Sequence, residues 1–80
     1  MFLNRLRFFQ MRWTTLAEKI GKNMKILRRK ADLTQERAAG KADLSIRYWQ
    51  QIESGQKNLT IRTLVLIART LDVDVKDLIG

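Results

Sequence analysis

The stretch LTQERAAGKADLSIRYWQQIESG, residues 33–55, decides the fold. Thr34 can cap one short helix and Ser45 another, because a hydroxyl oxygen just before a helix accepts a hydrogen bond from one of its first free N–H groups. Gly55 stands where a helix commonly ends, since glycine readily adopts the left-handed conformation that follows the last turn. The stretch therefore predicts two short helices joined by a tight turn at residues 43–44.

This predicted helix pair must pack closely. The two helices cross at a steep angle, so Ala39 has to be small where the second helix approaches. Further apolar residues can close the contact, and they are Ala38, Ala42, Leu44, Trp49 and Ile52. Two helices in this arrangement form a helix-turn-helix, whose second helix can enter the major groove of duplex DNA.

The rest of the chain also reads as helical, because proline is absent and apolar residues recur at spacings of three and four. Residues 15–18, Thr-Leu-Ala-Glu, have the form of a capping box and predict a helix that starts at Thr15 and ends at Asp32. Thr60 can cap a fourth helix and Asp74 a short last one. The sequence therefore predicts an all-α, compact five-helix domain over residues 15–80.

Residues 1–14 form a predicted N-terminal amphipathic arm, separate from the domain at 15–80. Phe2, Leu6, Phe9 and Trp13 follow a helical spacing among arginines, whereas the capping box argues for a fresh helix start at Thr15. The apolar side chains of this arm would together form a patch larger than a soluble monomer usually leaves exposed. The arm is expected to cover the domain's core, pair with a second copy or contact another partner.

Composition limits the possible functions of this 80-residue chain. Cysteine and histidine are both absent, which excludes disulfides, thiolate or imidazole metal sites and any Ser-His or Cys-His catalytic arrangement. Paired carboxylates and phosphate-binding loops do not stand out either. We therefore expect no enzyme activity, no metal and no cofactor.

The charge distribution points to a polyanionic partner. The net charge is +8, and residues 1–43 hold eleven basic and four acidic residues, whereas residues 60–80 hold three of each. A basic surface confined to one part of a small domain is typical of nucleic-acid binding. There is no apolar run long enough to span a bilayer and no secretory signal pattern, so we expect a cytoplasmic protein, nucleoid-associated when bound to DNA.

From Ile20 to Ile79 the chain resembles the Cro/repressor-type (XRE-like) helix-turn-helix family. The matching positions, in chain order, are Gly21, Met24, Leu27, Arg28, Leu33, Thr34, Gln35, Ala39, Ser45, Tyr48, Ile52, Glu53, Gly55, Lys57, Asn58, Thr60, Leu64, Ile67, Ala68, Leu71, Asp77 and Leu78. The small Ala38 and the large Trp49 depart from the family pattern as a pair, and together they conserve volume. The resemblance implies a lambda-repressor-like fold and a sequence-specific DNA-binding transcriptional regulator.

The resemblance also assigns roles to particular residues. Together with the helical period of the motif and the chemistry of its side chains, it predicts DNA contacts by Gln35, Ile46, Arg47, Tyr48, Gln50, Gln51, Lys57 and Asn58. Of these, Gln35 is expected to bond a phosphate and brace the second helix of the motif, while Ile46, Arg47, Gln50 and Gln51 share the face that meets the bases. Arg28 and Glu53 are expected to form a structural, partly buried salt bridge between the first and third helices.

Several settings and partners remain open at this point. The expected partners are double-stranded DNA and a second copy of the chain, bound through the arm or elsewhere, and a protein partner such as a toxin is an option. A phage repressor, a restriction-modification controller and an autoregulating antitoxin all fit the resemblance. The alternatives from other classes are a protein-interaction module that uses the arm as its contact, and a protein bound to a membrane surface through the arm.

Overall fold

A computed structural model of the chain describes the backbone of residues 2–80 and the side chains of residues 15–80. Five α-helices follow one another in these residues: α1 Phe2–Lys30, α2 Gln35–Lys41, α3 Ile46–Glu53, α4 Ile61–Leu71 and α5 Val75–Ile79. Residues 2–80 include no strand. The predicted all-α fold class with five helices is confirmed.

The starts of α2, α3 and α4 lie where the capping residues predict them. Thr34, Ser45 and Thr60 have extended backbone, and each hydroxyl oxygen accepts a hydrogen bond from the N–H three residues later at 3.0–3.1 Å. At α5 the backbone N–H of Asp74 donates to the Asp77 carboxylate at 3.0 Å. Local hydrogen-bonding chemistry therefore sets these four boundaries.

The predicted helix start at Thr15 is wrong, because α1 is one continuous helix of 29 residues, Phe2–Lys30. Thr15 and Glu18 lie inside this helix and are exposed. Within a continuous helix, the N–H groups that a cap would satisfy bond carbonyls of the preceding turn instead. Two threonines lower helix propensity by only about 0.7 kcal/mol each, which does not interrupt a chain whose apolar spacing stays in phase. The side chains of residues 1–14 lie outside the described residues, so their role as an arm remains a prediction.

Aspartates end three of the helices. Asp32, Asp43 and Asp72 adopt left-handed backbone with φ of 56–57°, and Gly55 does so at 79° after α3. Aspartate tolerates this conformation better than most residues, since its short side chain can bond locally. In the helix-turn-helix turn, the N–H of Asp43 donates to the Gly40 carbonyl at 3.2 Å and that of Leu44 to the Ala39 carbonyl at 2.9 Å.

The core lies between the helices of the domain, where α1 packs on α3 and α5, α2 packs on α3, and α4 contacts α1, α2 and α5. Its largest fully buried side chains are Trp49, Met24, Ile52, Ile67 and Leu78. Ala38 and Trp49 both have no exposed surface and belong to one apolar cluster, as a volume-conserving exchange requires. The second helix of the motif is therefore held by packing on its inner side.

Gly21 allows α1 to approach α3 unusually closely. A Cβ atom added at Gly21 would lie 2.8 Å from the carbonyl oxygen of Ile52 and would also clash with the carbonyl of Glu53. Both neighbours are backbone atoms of the last turn of α3. A residue without a side chain is therefore required at this crossing. In the part of the chain that the structure describes, no helix could cross a membrane.

Candidate nucleic-acid interface

The outer face of α3 carries the side chains predicted to meet DNA bases. Ile46, Arg47 and Gln50 are exposed and Gln51 is half-buried. Trp49 and Ile52 turn inward and are buried. Such a division follows from the helical period, which places residues three and four apart on the same face. The structure thus presents one apolar, one cationic and two amide side chains on a single exposed surface.

The remaining predicted DNA contacts surround this surface. Gln35 is half-buried at the first position of α2, and Lys57 and Asn58 are exposed in the loop that follows α3. Tyr48 is half-buried and packs against the core cluster, so its ring helps to support α3. Its predicted phosphate contact remains a prediction.

Glu53, at the end of α3, is bonded by side chains from three helices. Arg28 of α1 donates from Nε to Oε2 at 3.0 Å and from Nη2 to Oε1 at 2.7 Å. Trp49 donates its indole N–H to Oε2 at 2.6 Å, and Gln35 of α2 donates its amide to Oε1 at 3.2 Å. A carboxylate accepts about four hydrogen bonds, so Glu53 is saturated. We call these four residues the Glu53 network.

The two charged residues of the Glu53 network, Arg28 and Glu53, are both buried. Burial by itself would raise the pKa of Glu53, but hydrogen bonds from Arg28, Trp49 and Gln35, with the charge of Arg28, outweigh it and hold that pKa below its ordinary value. The hydrogen bond to Glu53 in turn raises the pKa of Arg28. Both groups are therefore ionised at neutral pH, and the pair fixes α3 against α1.

Two of the hydrogen bonds that the sequence did not predict are important for this site. One joins Trp49 to Glu53, and the other runs from the amide nitrogen of Gln50 to Oε1 of Gln35 at 3.2 Å. A sequence signal for the first exists, because residues 49 and 53 are one helical turn apart and a buried indole N–H usually finds an acceptor. The second joins residues fifteen positions apart on different helices, so only the folded chain reveals it.

A groove of apolar side chains lies away from this surface, between α1, α4 and α5. Its lining includes Leu16, Leu59, Ile61, Leu64 and Ile79. Ile61 is 81% exposed, while Leu16 and Ile79 are 46% and 41% exposed. Within residues 15–80, His, Cys, Asp and Glu side chains form no group that could hold a metal ion.

A sequence model of the helix-turn-helix family (HTH_3) matches residues 24–78. The chain belongs to this family of DNA-binding regulators. The family assignment confirms the predicted resemblance, and its matched range includes all of α2, α3 and α4.

Individual relatives agree with the family assignment. The chain is 35% identical over 60 residues to an uncharacterised HTH-type transcriptional regulator, y4dJ, from Sinorhizobium fredii, covering 75% of this chain and 78% of that protein. The fold is similar to the restriction-modification controller protein C.AhdI from Aeromonas hydrophila, with a TM-score of 0.75, 29% identity and coverage of 78% of this chain and 94% of that one. An HTH_3 family transcriptional regulator from Vibrio cholerae has a TM-score of 0.78 and 27% identity, covering 82% of this chain and 37% of that one.

Proposed function

We propose that this chain regulates transcription by reading a short duplex DNA site in the major groove with α3. The observation that carries the proposal is the exposed face of Ile46, Arg47, Gln50 and Gln51 on a helix fixed from behind by the Glu53 network. A preorganised helix of this kind fits the major groove, which is wide enough for one α-helix.

We assign base reading and backbone binding to different residues. Ile46, Arg47, Gln50 and Gln51 read base edges, because arginine and glutamine can pair bidentately with bases and an apolar tip can meet a thymine methyl. Gln35, Tyr48, Lys57 and Asn58 hold phosphates, which sets register without carrying sequence information. Regulation is the whole activity in this proposal, and no reaction or cofactor is part of it.

Selection of bound sites from random duplex DNA tests the proposal directly. The wild-type chain should enrich one motif, Gln51→Ala should relax preference at one or two base pairs, and Lys57→Ala should weaken all sites alike. If both variants weakened every sequence equally, the assigned reading face would be wrong.

The salt dependence of binding provides a second test. With roughly 6–10 phosphate contacts per dimer, affinity should fall about 10³- to 10⁵-fold between 50 and 200 mM salt, because cationic side chains displace condensed counterions. Binding to anionic vesicles is measured in parallel, since preferential vesicle binding would favour the membrane-surface alternative. A flat salt response on DNA would contradict the regulator proposal.

The active species is proposed to be a homodimer. One α3 of eight residues reaches few base pairs, so a two-fold pair on half-sites about one helical turn apart reads a longer sequence. The predicted arm at 1–14 is one candidate for the dimer contact, and the exposed apolar side chains of Leu16, Ile61 and Ile79 are another. Sedimentation of a chain lacking residues 1–13 tests the arm. A folded monomer with weaker operator binding supports arm-mediated pairing, and an unchanged dimer excludes it.

We propose control of a restriction-modification system as the regulatory setting. The chain covers 94% of the restriction-modification controller C.AhdI. A reporter fused to the chain's own promoter, with and without the chain, tests for control of its own operon and separates activation from repression. A toxin bound to the chain in a pull-down would instead indicate an antitoxin.

We place the protein in the cytoplasm, on the nucleoid when it is bound to DNA.

A further inference from the structure

Gln50 is held by hydrogen bonds that lead back to the buried carboxylate of Glu53. We propose that Glu53, acting through Gln35, fixes the direction of the Gln50 amide and makes Gln50 a reader of adenine in preference to guanine. The inference rests on the proposed base contact of Gln50. In it Gln35 is a positioning residue, distinct from its proposed phosphate contact.

The first step is the direction of the Gln35 amide. An ionised carboxylate has acceptors only, and Glu53 is held ionised by the charge and hydrogen bonds of Arg28. Any amide that bonds Glu53 must therefore present its NH₂ group, and the Gln35 nitrogen lies 3.2 Å from Oε1 of Glu53. The opposite orientation would place two oxygens against each other. Gln35 consequently turns its own carbonyl oxygen outward.

The second step passes this direction on to Gln50. The outward carbonyl oxygen of Gln35 needs a donor, and the nitrogen of the Gln50 side chain lies 3.2 Å from it. One N–H of Gln50 is thereby committed to Gln35. The exposed amide of Gln50 keeps one carbonyl oxygen and one N–H for DNA.

The third step compares these remaining groups with base edges in the major groove. Adenine offers a donor at N6 and an acceptor at N7, which match one carbonyl oxygen and one N–H of Gln50. Guanine offers two acceptors, N7 and O6, so it needs two donors, and Gln50 has only one left. A bidentate match of this kind should favour adenine over guanine roughly 5- to 150-fold at the base pair that Gln50 contacts.

The test uses binding of purified chain to duplex sites that differ at single base pairs. Gln50→Met identifies the base pair in question, because preference there disappears. Gln35→Met keeps the size of the side chain but removes the amide, so the adenine-to-guanine affinity ratio at that pair should fall while the ratios at other pairs persist. Lys57→Ala is the matched control, because it should lower affinity for all sites and leave that ratio unchanged.

The double variant Gln35→Met/Gln50→Met gives an additional check on coupling. Relative to Gln50→Met alone, it should lower affinity uniformly and change no preference at the Gln50 base pair. If Gln35→Met kept the full adenine preference, the relay would be overturned while DNA reading stood. If Gln50→Met erased no preference, the proposal would likewise fail. A wild-type chain that bound all sequences equally would instead overturn the proposed function.

A measurement on the unmodified protein needs no variant to fold. Exchange of side-chain amide protons with water can be followed by NMR for Gln35, Gln50 and Gln56, the last of which is exposed. The relay requires slower exchange at Gln35 and Gln50 than at Gln56. Equal exchange at all three would overturn it.

Discussion

Replacing Gly21 with alanine tests whether the close approach of α1 to α3 positions the reading helix. The added Cβ would lie 2.8 Å from the Ile52 carbonyl oxygen and would also meet the carbonyl of Glu53. Neither neighbour is a flexible side chain that could turn away. One of the two helices therefore has to move, and α3 carries the proposed DNA contacts.

Two opposing terms set the magnitude. Alanine in a helix interior is favoured over glycine by about 1 kcal/mol. Overpacking with backbone movement typically destabilises by about 1–3 kcal/mol, and a clash with two backbone carbonyls belongs in the upper part of that range. We expect Gly21→Ala to lower the free energy of unfolding by about 1–2 kcal/mol net.

Gly40 provides a matched control within the same chain. It lies inside α2, and a Cβ added there would have no heavy atom within 4 Å. Gly40→Ala should therefore show the propensity gain alone and raise the free energy of unfolding by about 1 kcal/mol. The same substitution is predicted to have opposite signs at the two positions.

Urea unfolding followed by circular dichroism measures both variants. The slope of the free energy against urea should stay unchanged, so that the midpoints report stability alone. DNA affinity should fall for Gly21→Ala, because α3 is displaced, and hold for Gly40→Ala. Equal stabilisation of both variants would refute the reasoning, since it would mean that α1 and α3 have room at Gly21.

Further predictions concern the Glu53 network, each measured by urea unfolding. Arg28→Met should destabilise by about 3–5 kcal/mol because it leaves Glu53 buried without its cation, and Arg28→Met/Glu53→Gln should destabilise less than that single change. Trp49→Phe should cost about 1–2 kcal/mol through the lost indole hydrogen bond. The pKa of Glu53 is lowered in the folded chain. The ionised carboxylate therefore contributes fully to the free energy of unfolding above the unfolded glutamate pKa of about 4.3, and this contribution is lost as pH falls through the folded pKa. The stability difference between the wild type and Glu53→Gln should shrink accordingly below about pH 4.

The boundaries of α2 to α5 could be predicted because their causes are local. Thr34, Ser45 and Thr60 each cap a helix through a bond to a residue three positions on. The start of α1 could not be predicted in the same way. The threonine and glutamate at residues 15 and 18 also fit a cap, and only the continuity of the surrounding helix decides against it.

In the candidate site, too, features with a local cause could be predicted and features that depend on tertiary packing could not. The helical period alone places Arg47 and Gln50 outward and Trp49 inward on α3. The direction of the Gln50 amide depends instead on Gln35 and Glu53, which are brought together by the crossing of α2 and α3. No local pattern specifies such a contact, because it depends on tertiary packing.

The position of Glu53 explains why a charge is retained inside so small a core. Burying an ion pair carries a large desolvation penalty, and a well-packed apolar replacement is often as stable. Glu53, however, accepts from α1 through Arg28, from α2 through Gln35 and from its own helix through Trp49. Hydrogen bonds are directional, whereas apolar contacts are not. We infer that the main contribution of this carboxylate is to orient α3 against both neighbouring helices, so that its outer face meets DNA in one fixed direction.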